Sequence, residues 1–183
     1  MKKVLLKILS SVFISIMLCS ASPQLSDQQR LSMAVEYFQS GKYHEALLLF
    51  KKLDKSYRLN PRFVAYTGVC LFYDQDYMSA AKTLDKIMIK LQAFAPHERS
   101  VYYYCAAESH YQLEHYTKAI ELFENQLLLC YNNEKGDALS RIGLCYLKLG
   151  EIATAQEFLI QAVDYYRKYN DIDKLRKVEH DLP

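Results

Sequence analysis

The sequence has few of the residues that turns and barrels need. Its 183 residues include only five glycines and four prolines, and there is no tryptophan. So few turn-forming residues argue against a loop-rich sandwich or barrel and favour helices. Because 51% of the residues are hydrophobic and 24% are charged, the composition is that of a folded globular chain, not a disordered one.

An excess of one charge is also missing. The formal net charge is +2, and three of the basic residues, Lys2, Lys3 and Lys7, lie in the first seven positions. Without them, 20 basic residues face 21 acidic ones, so the remainder is near neutral. No basic block marks a nucleic-acid surface, and we expect no nucleic-acid partner.

Catalytic and metal-binding motifs are absent. The chain has no glycine-rich phosphate loop, no HExxH and no GxSxG. His110 and His115 would point about 140° apart on one continuous helix, and their spacing fits none of the usual ligand patterns. We therefore expect a protein that is not an enzyme and that carries no cofactor and no metal.

The N-terminus has the order of a secretory signal. A charged start, Met1-Lys2-Lys3, precedes twelve largely apolar residues and then small residues up to Ala21. Twelve residues are too few for a spanning helix, which needs about 20. Residues 1–21 are predicted to be a signal, cleaved after Ala21 or processed as a lipoprotein at Cys19, with an uncleaved signal anchor as the third alternative. We expect an exported protein, periplasmic or anchored facing the periplasm. Membrane association is expected only in the alternative that carries a lipid on Cys19.

Four cysteines remain beyond this segment: Cys70, Cys105, Cys130 and Cys145. None forms a CxxC pair or a zinc-like spacing with histidine. Buried free thiols and disulfides are both open to an exported protein.

Internal repetition is the strongest pattern. Four alanines each follow a small residue by twelve positions, and each precedes a large apolar residue by four. The pairs are Ala34 and Ala46, Gly68 and Ala80, Ala107 and Ala119, and Gly143 and Ala155. The copies are spaced by 34, 39 and 36 residues, and the extra residues fall between copies, where connections belong.

Each copy reads as two amphipathic helices, because apolar residues recur at steps of three and four. The paired small residues allow the two backbones to approach closely. The predicted helix pairs cover residues 28–40 and 43–55, 62–73 and 77–92, 98–112 and 116–130, and 136–149 and 152–169. One pair cannot bury its apolar face alone, so the copies must stack.

The last copy carries the clearest family pattern: Leu139, Ile142, Gly143, Tyr146, Gly150, Ala155, Leu159 and Ala162. In these positions the chain resembles tetratricopeptide repeats. The third copy departs from the pattern at His110 and Gln126. The resemblance implies an all-α, right-handed superhelical solenoid of about four helix pairs, at about 26–59, 60–98, 99–134 and 135–170. The tail, 171–183, is predicted to be a capping helix, and the first half of a truncated fifth copy is the alternative.

Such a solenoid presents a concave groove lined by the first helix of each copy. The candidate groove residues are Phe38, Phe72, Tyr73, Tyr104, Glu108, Tyr111, Leu144 and Lys148. We predict a non-catalytic scaffold or adaptor of the cell envelope that binds a peptide segment or partner protein there. Two alternatives stay open. The groove residues pack against each other, against the C-terminal helix or against a second copy of the chain, or groove tyrosines bind carbohydrate with help from Gln39, Gln112, Glu108 and Arg62.

Overall fold

The computed structural model describes residues 25–182, so the predicted signal and its processing alternatives lie outside the described residues. The α-helices are α1 (Asp27–Gln39), α2 (Tyr43–Asp54), α3 (Pro61–Tyr73), α4 (Tyr77–Met88), α5 (Pro96–Gln112), α6 (Tyr116–Leu129), α7 (Lys135–Leu149), α8 (Ile152–Lys168) and α9 (Ile172–Asp181). Two 3-10 turns, Ile89–Leu91 and Asn132–Glu134, precede α5 and α7. Residues 25–182 contain no strand, and none of their helices is long and apolar enough to cross a bilayer.

Several helices begin at capping residues that the sequence supplies. Ser26 and Gln29 form a reciprocal capping box at α1, and the Asn60 side chain accepts from the Phe63 N–H at α3. Pro61 and Pro96 occupy the first positions of α3 and α5, where the missing N–H costs nothing. For this reason α5 starts two residues earlier than the predicted 98.

The first helix of each pair, which we call the inner helix, ends in the same turn. A backbone N–H bonds back five residues: Lys42 to Tyr37, Asp76 to Leu71, His115 to His110, and Glu151 to Tyr146. The residue before each donor has a positive φ, at Gly41, Gln75, Glu114 and Gly150. This is the Schellman arrangement, which satisfies the last carbonyls of a helix. The four copies therefore share one backbone turn and differ in side chains.

The two helices of a pair approach most closely at the small residues of the repeat pattern. A Cβ added at Gly143 would lie 2.7 Å from Leu159 Cγ and 3.2 Å from the Ala155 carbonyl oxygen. Ala34 and Ala107 occupy the same position in the first and third copies and are fully buried. The predicted register of the repeat is therefore that of the structure.

The stack is closed by α9, which packs against α8. Val178 is buried there, and Leu175 and Leu182 are half-buried beside it. Two ion pairs also hold α9 in place: Lys174 Nζ lies 2.8 Å from Asp137 Oδ2, and Glu179 Oε1 lies 2.9 Å from Arg167 Nη2. The predicted solenoid of four helix pairs with a C-terminal capping helix is confirmed.

The four cysteines of the described chain are free and buried. Burial raises the pKa of the Cys70 and Cys145 thiols to about 12, because it disfavours the charged thiolate. Thiolate is the reactive form, so these side chains act as small apolar groups of the core.

Candidate functional site

A cavity of about 460 Å³ opens on the row of inner helices, between α5, α7 and α9. We call it the groove pocket. Tyr73 lies at one end of it, and the wall formed by α9 at the other. Its lining residues are Tyr73, His97, Ser100, Val101, Tyr104, Gln126, Glu134, Asp137, Ser140, Arg141, Leu144, Tyr166, Lys174, Lys177 and Val178. This pocket mixes aromatic and apolar walls with a few polar groups, as ligand sites commonly do.

Most charges in the groove pocket are already paired. Lys174 contacts Asp137, and His97 Nε2 lies 3.1 Å from Glu134 Oε1 while its ring stacks on Tyr131. Lys177 differs, because it makes no hydrogen bond or ion pair with any residue between 25 and 182. The pocket therefore offers one ammonium group that is in direct contact with no carboxylate of the described chain.

Glu108 and Arg141 form the most buried charged contact near this pocket. Arg141 Nε lies 2.6 Å from Glu108 Oε1, but its N–H is not directed at this oxygen, which has no hydrogen bond within the described chain. Glu108 is 3% exposed. Burial raises the pKa of the Glu108 carboxyl, and the positive charges of Arg141 and Lys177 oppose that rise. Since the net direction is upward, the arginine only partly compensates the loss of water around the carboxylate.

Gln126 supplies the second unmatched polar group. It lies on α6, is 7% exposed, and lines the pocket. Its Oε1 is buried and accepts no hydrogen bond from residues 25–182. A buried carbonyl oxygen of this kind costs about 1–3 kcal/mol if it stays unpaired. A hydrogen-bond donor on a ligand would remove that cost.

The aromatic wall consists of Tyr73 and Tyr104. The Tyr73 ring stacks on Tyr43 with centroids 4.0 Å apart, yet the residue remains 50% exposed. Tyr104 is half-buried and meets Phe72 edge to face at 6.0 Å. Burial raises the pKa of Tyr104, so its hydroxyl stays protonated and can donate a hydrogen bond. These two rings offer apolar surface with a polar edge toward the cavity.

The structure separates the eight residues predicted for the groove into three groups. Tyr73, Tyr104 and Leu144 line the pocket, and Glu108 is buried behind it against Arg141. A second group is half-buried among the helices: Phe38 stacks on Tyr66, Phe72 packs against Tyr104, and Tyr111 lies under the Arg141 guanidinium. Lys148 is exposed and does not line the pocket.

Sequence reasoning missed the polar half of the pocket, namely His97, Gln126, Arg141, Lys174 and Lys177. For Gln126 a signal existed, since it departs from the repeat pattern at a position that is usually apolar or small. Lys174 and Lys177 belong to the tail, which the sequence predicts only as a capping helix. Only the packing angle of α9 on α8 shows that this face turns toward α5 and α7.

The geometry defines a general class of protein, a solenoid of stacked helix pairs with a pocket on its row of inner helices. Residues 137–169, within the fourth helix pair, match the family model described as "Tetratricopeptide repeat". The resemblance seen in the sequence is thereby confirmed. A comparison with curated protein sequences finds no match.

Solved structures with the same fold include proteins of differing length. MamA from Desulfovibrio magneticus RS-1 is 17% identical, with 85% of this chain and 92% of that chain covered and a TM-score of 0.61. Cut9, in a hetero-tetramer with Hcn1, is 16% identical over 84% of this chain and 30% of that chain, with a TM-score of 0.66. The apo form of RapI is 14% identical over 86% and 64%, with a TM-score of 0.67. Identities this low show the shared fold alone.

Proposed function

We propose that this protein is a non-catalytic scaffold of the cell envelope that binds a segment of a partner protein along its inner helices. The observation that carries the proposal is the groove pocket with its two unmatched polar groups, the Lys177 ammonium and Gln126 Oε1. A site with apolar walls and polar groups that lack hydrogen-bond partners is stabilised more by a ligand that supplies those partners than by water. Cut9, which shares the fold, was solved in a complex with another protein, Hcn1.

The pocket specifies the chemistry of the segment. An aspartate or glutamate side chain would pair with Lys177, and a backbone or amide N–H would donate to Gln126 Oε1. An apolar side chain would pack on Tyr104 and Leu144. A short peptide supplies all three groups at once, because its backbone carries a donor at nearly every residue.

Carbohydrate is less well matched by the same site. The four polar residues considered for sugar binding, Gln39, Arg62, Glu108 and Gln112, do not line the pocket. Arg62 instead pairs with Glu98 on the next inner helix and covers the Phe94 ring. Polar groups that converge on one face of a sugar ring are therefore not supplied by these residues.

Placement in the envelope rests on the N-terminal pattern of Lys2, Lys3, the apolar run and Ala21. Mass spectrometry of the native protein's N-terminus tests it. A chain starting at Ser22 would support ordinary cleavage, and a lipid-bearing Cys19 would support the anchored form. An intact Met1 on a cytoplasmic protein would overturn the proposed location.

The binding proposal is tested by charge reversal inside the pocket. Proteins captured from envelope fractions by the wild type would be compared with those captured by Lys177→Glu and Tyr104→Ala. We expect both variants to lose the partner, and Lys51→Glu, an exposed lysine on α2, to retain it. Peptides from the captured protein would then be titrated directly, with a loss of tenfold or more expected for Lys177→Glu. Equal affinity of Lys177→Glu and wild type would contradict the proposal.

A further inference from the structure

The turn between α5 and α6 differs from the other three inner-helix turns in its side chains. Each turn brings together the two residues joined by its five-residue backbone hydrogen bond. The joined pairs are Tyr37 and Lys42, Leu71 and Asp76, His110 and His115, and Tyr146 and Glu151. Only the third of these four turns places two imidazoles at the joined positions.

The sequence argument that these histidines diverge is wrong, because it assumes one continuous helix. In the structure α5 ends at Gln112, and Glu114 takes a φ of 61° that reverses the chain. The His115 N–H then bonds to the His110 carbonyl oxygen at 2.9 Å, which fixes the two backbones side by side. The turn therefore overrides the angular spacing of a helix.

The two rings meet through their Nδ1 atoms, which lie 3.3 Å apart. Two nitrogens bound to one tetrahedral metal at 2.0–2.1 Å are separated by about 3.3 Å, and their ring centroids by about 5.2 Å. The centroids of His110 and His115 are 5.5 Å apart. A small rotation of the exposed His115 ring is enough to aim both lone pairs at one point.

The far nitrogen of His110 is held by a carboxylate. His110 Nε2 lies 3.0 Å from Asp85 Oδ2 on α4. A carboxylate on the other ring nitrogen is the usual partner of a metal-bound histidine, because it fixes the tautomer that leaves the ligating nitrogen unprotonated. With its proton on Nε2, His110 presents a bare Nδ1 to His115.

We propose that His110 and His115 form a binding site for a divalent transition metal that prefers imidazole, with Zn²⁺ as the ion whose tetrahedral geometry fits the nitrogen separation. Asp85 orients His110 and does not itself ligate. No group of three or more histidine, cysteine or carboxylate side chains within residues 25–182 is placed to hold a metal. Water or a partner's side chain therefore completes the coordination, and the site keeps open positions.

Metal binding at neutral pH causes no net release of protons. In the tautomer that has the His110 proton on Nε2 beside Asp85, His115 donates its Nδ1 proton to His110 Nδ1 when metal is absent. On binding, that proton leaves Nδ1 of His115, its Nε2 takes up a proton, and both Nδ1 lone pairs bind the ion. The exposed position of His115 allows this exchange with solvent.

The chain contains a matched control for the experiment. His44 Nδ1 lies 2.8 Å from Asp74 Oδ1, so this pair has the same carboxylate contact but no second imidazole. His44 and His115 are both exposed, so replacing either by alanine leaves the core intact. If a histidine beside a carboxylate were enough to bind metal, the His44 pair and the His110 pair would bind it with equal affinity.

The test is a titration of the untagged protein with Zn²⁺ against a chromophoric chelator, with Co²⁺ replacing Zn²⁺ for absorption spectra. We expect one equivalent to bind, with tetrahedral Co²⁺ bands. Its affinity should fall tenfold or more in His115→Ala and about 10–100-fold in Asp85→Asn, and should be unchanged in His44→Ala. Thermal melts of each variant without metal would show that folding is retained. Binding that His115→Ala leaves unchanged, or no binding by the wild type at millimolar Zn²⁺, would overturn the proposal.

Discussion

The second and third helix pairs share the same turn after their inner helices, but they differ in the side chains that they bury. Six polar or charged side chains between residues 25 and 182 are buried, and five of them belong to the third pair: Ser100, Glu108, Ser109, His110 and Gln126. The second pair has none of the six. Its inner helix α3 instead buries only small or apolar residues, among them Gly68, Val69, Cys70 and Leu71.

The difference shows that the repeat frame and the chemistry of each copy are set by different residues. The small residues and the positive-φ turns build both pairs alike. Because the frame does not depend on the remaining positions, the third pair tolerates buried polar groups that each cost stability. The histidine pair lies within this third pair, and the groove pocket borders it.

The largest expected effect comes from breaking the shared frame. Gly143→Leu forces a large side chain against Leu159 and the Ala155 backbone, and overpacking of this kind costs about 1–3 kcal/mol or more. The matched control is Lys148→Leu, which adds a leucine to an exposed site on the same helix. Chemical denaturation measures both. An unchanged free energy of unfolding for Gly143→Leu would contradict the register of the repeat.

A smaller effect separates core rings from groove rings at the end of α3. Phe72 is half-buried and contacts Tyr73 and Tyr104, so Phe72→Ala should lower the free energy of unfolding by about 2 kcal/mol. Tyr73→Ala should cost less than half of this, since Tyr73 is 50% exposed. In binding assays the order should reverse. Equal losses of stability at the two positions would assign Tyr73 to the core.

The third pair should become more stable when its unmatched polar group is removed. Gln126→Leu replaces a buried unpaired oxygen by an apolar group of similar size, and we expect a gain of about 1 kcal/mol. The same variant should bind the partner segment more weakly. Thermal melts with and without a captured peptide measure both changes. A loss of stability would mean that Gln126 is satisfied in the folded chain.

The smallest expected effect concerns the buried carboxyl and depends on pH. Because the folded pKa of Glu108 is raised, its contribution to stability is fully present below the ordinary glutamate pKa and is lost as pH rises through the folded pKa. Glu108→Gln removes this titration. The melting temperature of the variant relative to wild type should therefore be higher at pH 7.5 than at pH 4. A difference that is constant with pH would contradict the raised pKa.

Much of the fold was predictable because it depends on spacing. The twelve-residue interval from Gly143 to Ala155 and the ends at Gly41 and Gly150 are local patterns, and the helix bounds follow them within a few residues. The predicted extension of the fourth helix to residue 92 was wrong, since α4 ends at Met88 and a 3-10 turn follows. The residues inserted between copies have no counterpart in the other copies, so the repeat pattern does not predict their structure.

The site was less predictable because it depends on how elements meet. Tyr104 and Leu144 could be placed on inner helices from periodicity alone. The position of Lys177 depends on the angle at which α9 packs against α8, which no local pattern encodes. His110 and His115 required knowing the residue at which α5 ends, and a difference of one residue there changes their separation.

The capping helix also forms a wall of the groove pocket, which couples occupancy of the pocket to local opening of α9. Of the helices, α9 packs chiefly against α8, with Val178 as its one buried residue. A helix with so few buried contacts opens locally at a small fraction of the global free energy of unfolding. A segment held by Lys177 would be released each time α9 detaches, and would in turn slow amide hydrogen exchange in α9 by mass action. The lifetime of the complex would then be set by the rate at which α9 opens rather than by the stability of the four helix pairs.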